Sequence, residues 1–110
     1  MTEPITRETL LDVTLVEPKT TAHVEIRRIS IAPGFAGGLH SHNGPVLGSI
    51  LEGSAIYQVE GEPERVLLVG DVFIEQQDAR IARFDAGEQG VTFLGYFLLG
   101  ADEGPTITMH

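Results

Sequence analysis

The sequence predicts an all-β fold without helices, and three observations indicate it. Thirteen glycines and six prolines interrupt the 110-residue chain at short intervals. The runs between them are short and rich in Val, Ile, Leu, Thr and Phe, which is typical of strands. No window of helical length keeps an apolar period of about 3.6 residues. We therefore expect a single antiparallel barrel or sandwich.

The glycines and prolines also predict where the strands end. Pro33-Gly34 ends one strand, and Asn43-Gly44-Pro45 predicts a tight turn because Asn and Gly tolerate positive φ. Glu52-Gly53 and the Gly61–Arg65 stretch are each expected to close a hairpin. The ten predicted strands are Leu10–Val16, His23–Ile31, Leu39–His42, Val46–Leu51, Ala55–Val59, Val66–Val69, Val72–Glu75, Ile81–Phe84, Val91–Leu99 and Thr106–Met109.

Length and charge restrict the classes of function. The 110 residues suit a single domain, 1–110. A net charge of −9 repels a phosphate backbone and argues against nucleic-acid partners. The absence of cysteine excludes disulfides and thiolate metal sites. No apolar run is long enough for a membrane span, and no signal peptide is apparent, so we expect a cytoplasmic protein without a membrane partner.

One segment carries a motif with a defined spacing. Gly34 is followed after five residues by His40, after one more by His42, and eleven positions later by Gly53. This pattern resembles the first conserved motif of the cupin superfamily. A second stretch, 70–85, resembles the second cupin motif in its opening Gly-Asp and in its length. The resemblance covers a core of about 29–98.

The resemblance implies a single antiparallel double-stranded β-helix, which is the jelly-roll barrel of the cupins. It implies a small-molecule ligand or substrate held in the barrel. It also implies a homodimer, for which the apolar strand Val91–Leu99 offers an interface. Cupins catalyse dioxygenation, isomerisation, decarboxylation and epimerisation, so the resemblance leaves the reaction open.

The chain departs from the motifs at the positions of two metal ligands. The family's metal-binding Glu falls on Val46, and its second-motif His falls on Ile81. The terminal Asn of the second motif falls on Asp85. Two of the four family ligands are therefore kept, and the apolar replacements favour an apolar or aromatic ligand.

His40 and His42 are the predicted metal ligands. Side chains two apart on a strand share one face, about 6.6–6.8 Å apart along it. Two imidazoles at that spacing can converge on one metal ion. Both imidazoles must be neutral to bind it. The resemblance implies a divalent transition metal, with Fe, Ni, Zn and Mn as candidates, and a site without metal is the alternative. Ser41 points to the opposite face, so neither histidine can act as its base.

No spacing fixes a third ligand. A carboxylate beside two histidines would suit non-haem iron. The candidates for a third donor are Glu75, Gln76, Gln77, Asp78 and Asp85. Arg83 shares the parity of Ile81 and offers a cation for a substrate anion, although pairing with a surface acid is the commoner outcome. The predicted pocket residues are thus Val46, Gln77, Ile81, Arg83 and Asp85.

Two functions therefore stay open at this point. In the first, a small metal-dependent enzyme acts on an organic molecule through an ion held by His40 and His42. In the second, the barrel binds or senses an apolar small molecule without chemistry, which the loss of two ligands favours. Metal content separates the two, because only the first requires it.

Overall fold

The structure, a computed structural model, describes residues 3–110 and contains seven strands in that range. Residues 3–110 include no helix long and apolar enough to cross a membrane. The described residues form no helix, and this absence together with the antiparallel pairing confirms the predicted all-β class. The strands are β1 His23–Ile31, β2 His40–His42, β3 Val46–Val59, β4 Arg65–Leu68, β5 Val72–Glu75, β6 Ile81–Leu99 and β7 Ile107–Met109.

Two long strands, β3 and β6, form the centre of the sheet. They pair antiparallel from Val46 opposite Phe97 to Val59 opposite Ile81. Each was predicted as two shorter strands, and the predicted hairpin at Glu52-Gly53 is wrong. Gly53 instead lies at φ 74° in an irregularity within β3, where an added Cβ would meet the Gly90 carbonyl oxygen at 2.0 Å. The glycine therefore bends a continuous strand, as bulge glycines do.

The segment predicted as a strand at Leu10–Val16 is not one. It lies outside the sheet, and the side-chain amide of Gln76 holds it in place. The Val16 N–H donates to Gln76 Oε1 at 3.1 Å, and Gln76 Nε2 donates to the Thr14 carbonyl at 3.2 Å. One side chain thus replaces the ladder hydrogen bonds that a neighbouring strand would supply.

The core between the two faces of the barrel is aromatic. The Phe84 ring centroid lies 4.9 Å from that of Phe93 and 5.2 Å from that of Phe73. Tyr57 packs edge-on against Phe84 and donates its hydroxyl to the Ile74 carbonyl. Gly48 leaves the room for this cluster, because a Cβ there would lie 2.2 Å from the Phe73 ring.

Short strand β2 closes one side of the barrel. It pairs with β6 through His40 and Ile81, and with β7 through all three of its residues. The turn after β5 also contacts it, since the Asp78 N–H donates to the His42 carbonyl at 2.9 Å. Asp78 adopts φ 60° at this point. The end of β5 is thereby brought beside β2.

Candidate metal centre in an apolar cavity

His40 and His42 lie side by side on β2 and line the same cavity. Their ring centroids are 5.1 Å apart in an edge-to-face arrangement. Ser41, between them, points elsewhere, and its Oγ lies 2.8 Å from Nε2 of His110. The alternation of a strand therefore places both imidazoles on one face.

A third donor, Glu75, comes from the end of β5. Its Oε2 lies 2.8 Å from His42 Nε2, and its Oε1 lies 3.8 Å from His40 Nε2. The residue is only 4% exposed. Buried carboxylates are rare unless they are paired, and here both partners are imidazoles. One ligand atom from each of the three residues lies within 4.8 Å of the others.

The orientation of the His40 ring is fixed from behind. Its Nδ1 lies 2.9 Å from the Gly38 carbonyl oxygen, an acceptor that requires the Nδ1–H tautomer or the imidazolium. In the neutral ring the lone pair is therefore on Nε2, which points toward Glu75. A backbone carbonyl in this role is the usual support of a metal-binding histidine.

The carboxylate and the imidazole shift each other's pKa. Burial alone would raise the pKa of Glu75, yet the contacts with His40 and His42 hold it below its usual value. Burial likewise opposes protonation of His40, but Glu75 and the Gly38 carbonyl raise its pKa. The cluster therefore favours an ionised carboxylate beside a positively charged ring.

The cavity in front of the three donors holds about 270 Å³. Its wall is apolar apart from these donors and the backbone at Gly37. The remaining lining residues are Ile29, Ile31, Phe35, Val46, Phe73, Phe84, Phe93, Phe97 and Ile107.

Of the five pocket residues predicted from the sequence, one lines the cavity and four lie elsewhere. Val46 lines the cavity with His40 and His42, whereas Gln77, Ile81, Arg83 and Asp85 are not among its lining residues. Ile81 is fully buried in the core, and Gln77 lies in the turn after β5.

An irregularity in β6 accounts for Arg83 and Asp85. Gln58 pairs with Arg83 and Val59 pairs with Ile81, so Ala82 is an extra residue in its strand. The insertion changes the alternation, and Phe84 rather than its neighbours faces the cavity. Arg83 bonds to Asp85 Oδ2, and Asp85 Oδ1 accepts the Gly37 N–H. The pair thus holds the loop before β2.

Sequence reasoning named Glu75 as one candidate among five and did not single it out. The signal was its parity with Phe73, since residues two apart on a strand share a face. An acid at an inward position of the otherwise apolar strand Val72–Glu75 is unusual and points to a partner. What the sequence lacked was the register that brings β5 beside β2.

Several solved structures share the fold of this chain. No protein-family model matches the chain, and no curated protein matches it. A DMSP lyase, DddQ from Ruegeria pomeroyi, is 20% identical with a TM-score of 0.65, over 76% of this chain and 42% of its own. An oxalate oxidase in complex with glycolate is 20% identical with a TM-score of 0.65, over 78% of this chain and 45% of its own.

A third similar structure matches over most of both chains. It is an uncharacterized double-stranded β-helix protein from Klebsiella pneumoniae, 16% identical with a TM-score of 0.63, over 88% of this chain and 83% of its own. This chain spans less than half the length of the lyase and the oxidase. The shared architecture confirms the fold that the motif resemblance implied: the chain has the cupin fold, a double-stranded β-helix of antiparallel strands.

Proposed function

We propose that this cupin binds a divalent transition metal through His40, His42 and Glu75 and acts on a small organic molecule in the adjoining cavity. The observation that carries the proposal is the convergence of two imidazole nitrogens and one carboxylate oxygen within 4.8 Å. Two histidines and one carboxylate form the donor set of many non-haem iron sites, and they also suit zinc, nickel and manganese. Similarity in fold to a lyase and an oxidase would not carry it alone.

The donor chemistry fits such an ion. Glu75 supplies one negative charge, which offsets part of the cost of taking a dication out of water. The Gly38 carbonyl keeps His40 Nε2 available. Three protein donors leave further coordination positions for a ligand, as catalytic sites require.

The chain's own residues determine how a ligand would be held. A bound ion would supply Lewis acidity, and redox chemistry if it is iron or manganese. The apolar wall excludes water around the ligand, which strengthens electrostatic interactions at the three donors. Oxygenase, isomerase and decarboxylase chemistry are all compatible with this arrangement.

Metal binding tests the proposal directly. Protein prepared without chelators or an added tag is analysed for Fe, Ni, Zn and Mn, and the metal-free form is titrated calorimetrically with each ion. The double variant His40→Ala with His42→Ala is expected to lose binding. The control is His23→Ala, which removes an exposed imidazole on β1. Absence of binding in the parent protein, or retained binding in the double variant, would refute the proposal.

A second function has its own support. The 2.8 Å contact between His42 and Glu75 satisfies the cluster without any ion. With the donors paired to each other, the cavity would bind an apolar ligand without catalysing a reaction. Ligand binding that is equal with and without metal would favour this binding module over the enzyme.

We also propose that two copies pair through β1 and not, as expected from the sequence, through Val91–Leu99, because β1 and β3 already occupy both edges of that segment. In residues 3–110 this strand pairs only with β6, which leaves its other edge open. Ile26, near its middle, is 58% exposed. An antiparallel two-fold centred on Ile26 would put Glu25 of each chain opposite the partner's Arg27, so the edge is complementary in charge to a second copy. Pairing would also cover an otherwise open strand edge.

A cytoplasmic location and the absence of nucleic-acid and membrane partners remain predictions from the sequence. The charge of −9 supports only the second of these, the absence of a nucleic-acid partner.

A further inference from the structure

Outside the pair of histidines, the wall of the cavity carries no cationic side chain. None of the thirteen residues that line it is a lysine or an arginine. Among the described residues its only carboxyl group is that of Glu75, which contacts the two histidines. Apart from the histidines and any bound metal, an anionic ligand would find nothing of opposite charge there to offset the loss of its hydration.

Two arginines that contact or adjoin lining residues are already paired with acids. The Arg27 guanidinium lies over the Phe97 ring, 5.4 Å from its centroid, and contacts Glu25 Oε2 at 2.6 Å. Arg83 is held by Glu64 and Asp85. Neither lines the cavity, so neither offers the fork that carboxylate recognition usually requires.

The size and wall chemistry favour one ring. An apolar cavity of about 150 Å³ accommodates benzene, so about 270 Å³ suits one aromatic ring with small substituents. Five phenylalanines line it: Phe35, Phe73, Phe84, Phe93 and Phe97. Aromatic side chains favour edge-to-face and offset contacts with a further ring.

The exposed part of the lining is apolar as well. Phe35 and Ile107 both line the cavity and are 60% and 57% exposed. They frame its mouth without a charged group. A ligand would therefore enter over an apolar rim, which disfavours a charged ligand at entry too.

From these observations we propose that the site takes an uncharged compound with one aromatic ring and one oxygen donor, such as a phenol. The ring lies against the phenylalanines, and the oxygen faces His40, His42 and Glu75. The role of the oxygen as a metal ligand rests on the proposed function, whereas the selection for a neutral ring rests on the wall alone.

Calorimetry with three probes tests the proposal: phenol, benzoate and glycolate, each at pH 7 with metal-loaded and metal-free protein. We expect phenol to bind at least about tenfold more tightly than either anion, because the wall cannot compensate a desolvated carboxylate. Equal or tighter binding of benzoate or glycolate overturns the proposed ligand class. A phenol preference in protein that takes up no metal supports the ligand class and refutes the metal proposal alone.

A substitution at the mouth of the cavity tests whether the probes bind inside it. Ile107→Arg adds a cation to the rim without changing the buried wall and is expected to shift the benzoate-to-phenol affinity ratio about fivefold toward benzoate. The matched control is Leu68→Arg, because Leu68 is equally exposed at 56% on β4 and does not line the cavity. An unchanged ratio in Ile107→Arg, or an equal shift in both variants, overturns the proposal.

Discussion

Glu75 lies directly opposite Val46 in the antiparallel ladder between β5 and β3. Val46 occupies the position where the cupin motif has its metal-binding Glu, so the carboxylate of this site comes from the neighbouring strand. Opposite residues of such a ladder have Cβ atoms about 4.5–5.5 Å apart. A carboxylate at either of these two opposite positions can therefore reach the same two imidazoles.

The first prediction concerns this displaced carboxylate. Glu75→Gln keeps the size and shape of the side chain but removes its charge, so we expect the metal affinity to fall at least about tenfold. Calorimetric titration of the metal-free variant measures the change. Glu60→Gln, which removes an exposed carboxylate paired with Arg80, is the control. Unaltered affinity in Glu75→Gln would show that this residue is not a ligand.

The second prediction concerns pH and the metal-free protein. The lowered pKa of Glu75 stabilises the fold above about pH 4.5, and this contribution is lost as the pH falls through the folded-state pKa. The raised pKa of His40 stabilises the fold below about pH 6.5, and this contribution is lost as the pH rises through the folded-state pKa. Both contributions are present between these two values.

Melting temperatures of the protein in chelator, recorded between about pH 3 and pH 9, measure this effect because the range includes the ordinary pKa of both groups. We expect the contribution of the cluster to be largest in the window between the two values. Glu75→Gln should remove it, whereas Glu52→Gln, at an exposed position of β3, serves as the control for a lost charge. The same pH profile in Glu75→Gln and the parent protein would contradict the prediction.

The third prediction concerns the packing of the aromatic core. Gly48→Ala puts a methyl group 2.2 Å from the present position of the Phe73 ring, so the ring must move. We expect a loss of about 1–3 kcal/mol in the free energy of unfolding, measured by urea denaturation. Gly104→Ala is the control, because a Cβ there meets nothing within 4 Å. Equal stability of the two variants would show that the core yields without cost.

The fourth prediction concerns the second copy. Ile26→Glu places a charge at the centre of the proposed two-fold, where it would face its own copy, and should convert a dimer into a monomer. Light scattering after size exclusion measures the mass. Val66→Glu, at an exposed position of β4, is the control, because Val66 is 58% exposed like Ile26. A monomeric parent protein, or a dimer that survives Ile26→Glu, would refute pairing through β1.

The sequence by itself determined the fold class and the pair of histidines. Glycine and proline spacing marked most strand boundaries, and β1 and β5 have the predicted bounds. The spacing of His40 and His42 fixed their common face, because strand alternation is a local property. Local patterns predicted a break at Gly53, however, where the structure has a bent but continuous strand.

Only the tertiary structure decided which acid joins the histidines and what lines the cavity. The register of β5 on β3, and the contact between Asp78 and His42, bring Glu75 to the site. The extra residue Ala82 in β6 places Phe84 at the cavity and leaves Arg83 to bond with Asp85 and Glu64. Strand register and bulges depend on contacts between residues far apart in the chain, so a local reading of side-chain parity cannot supply them.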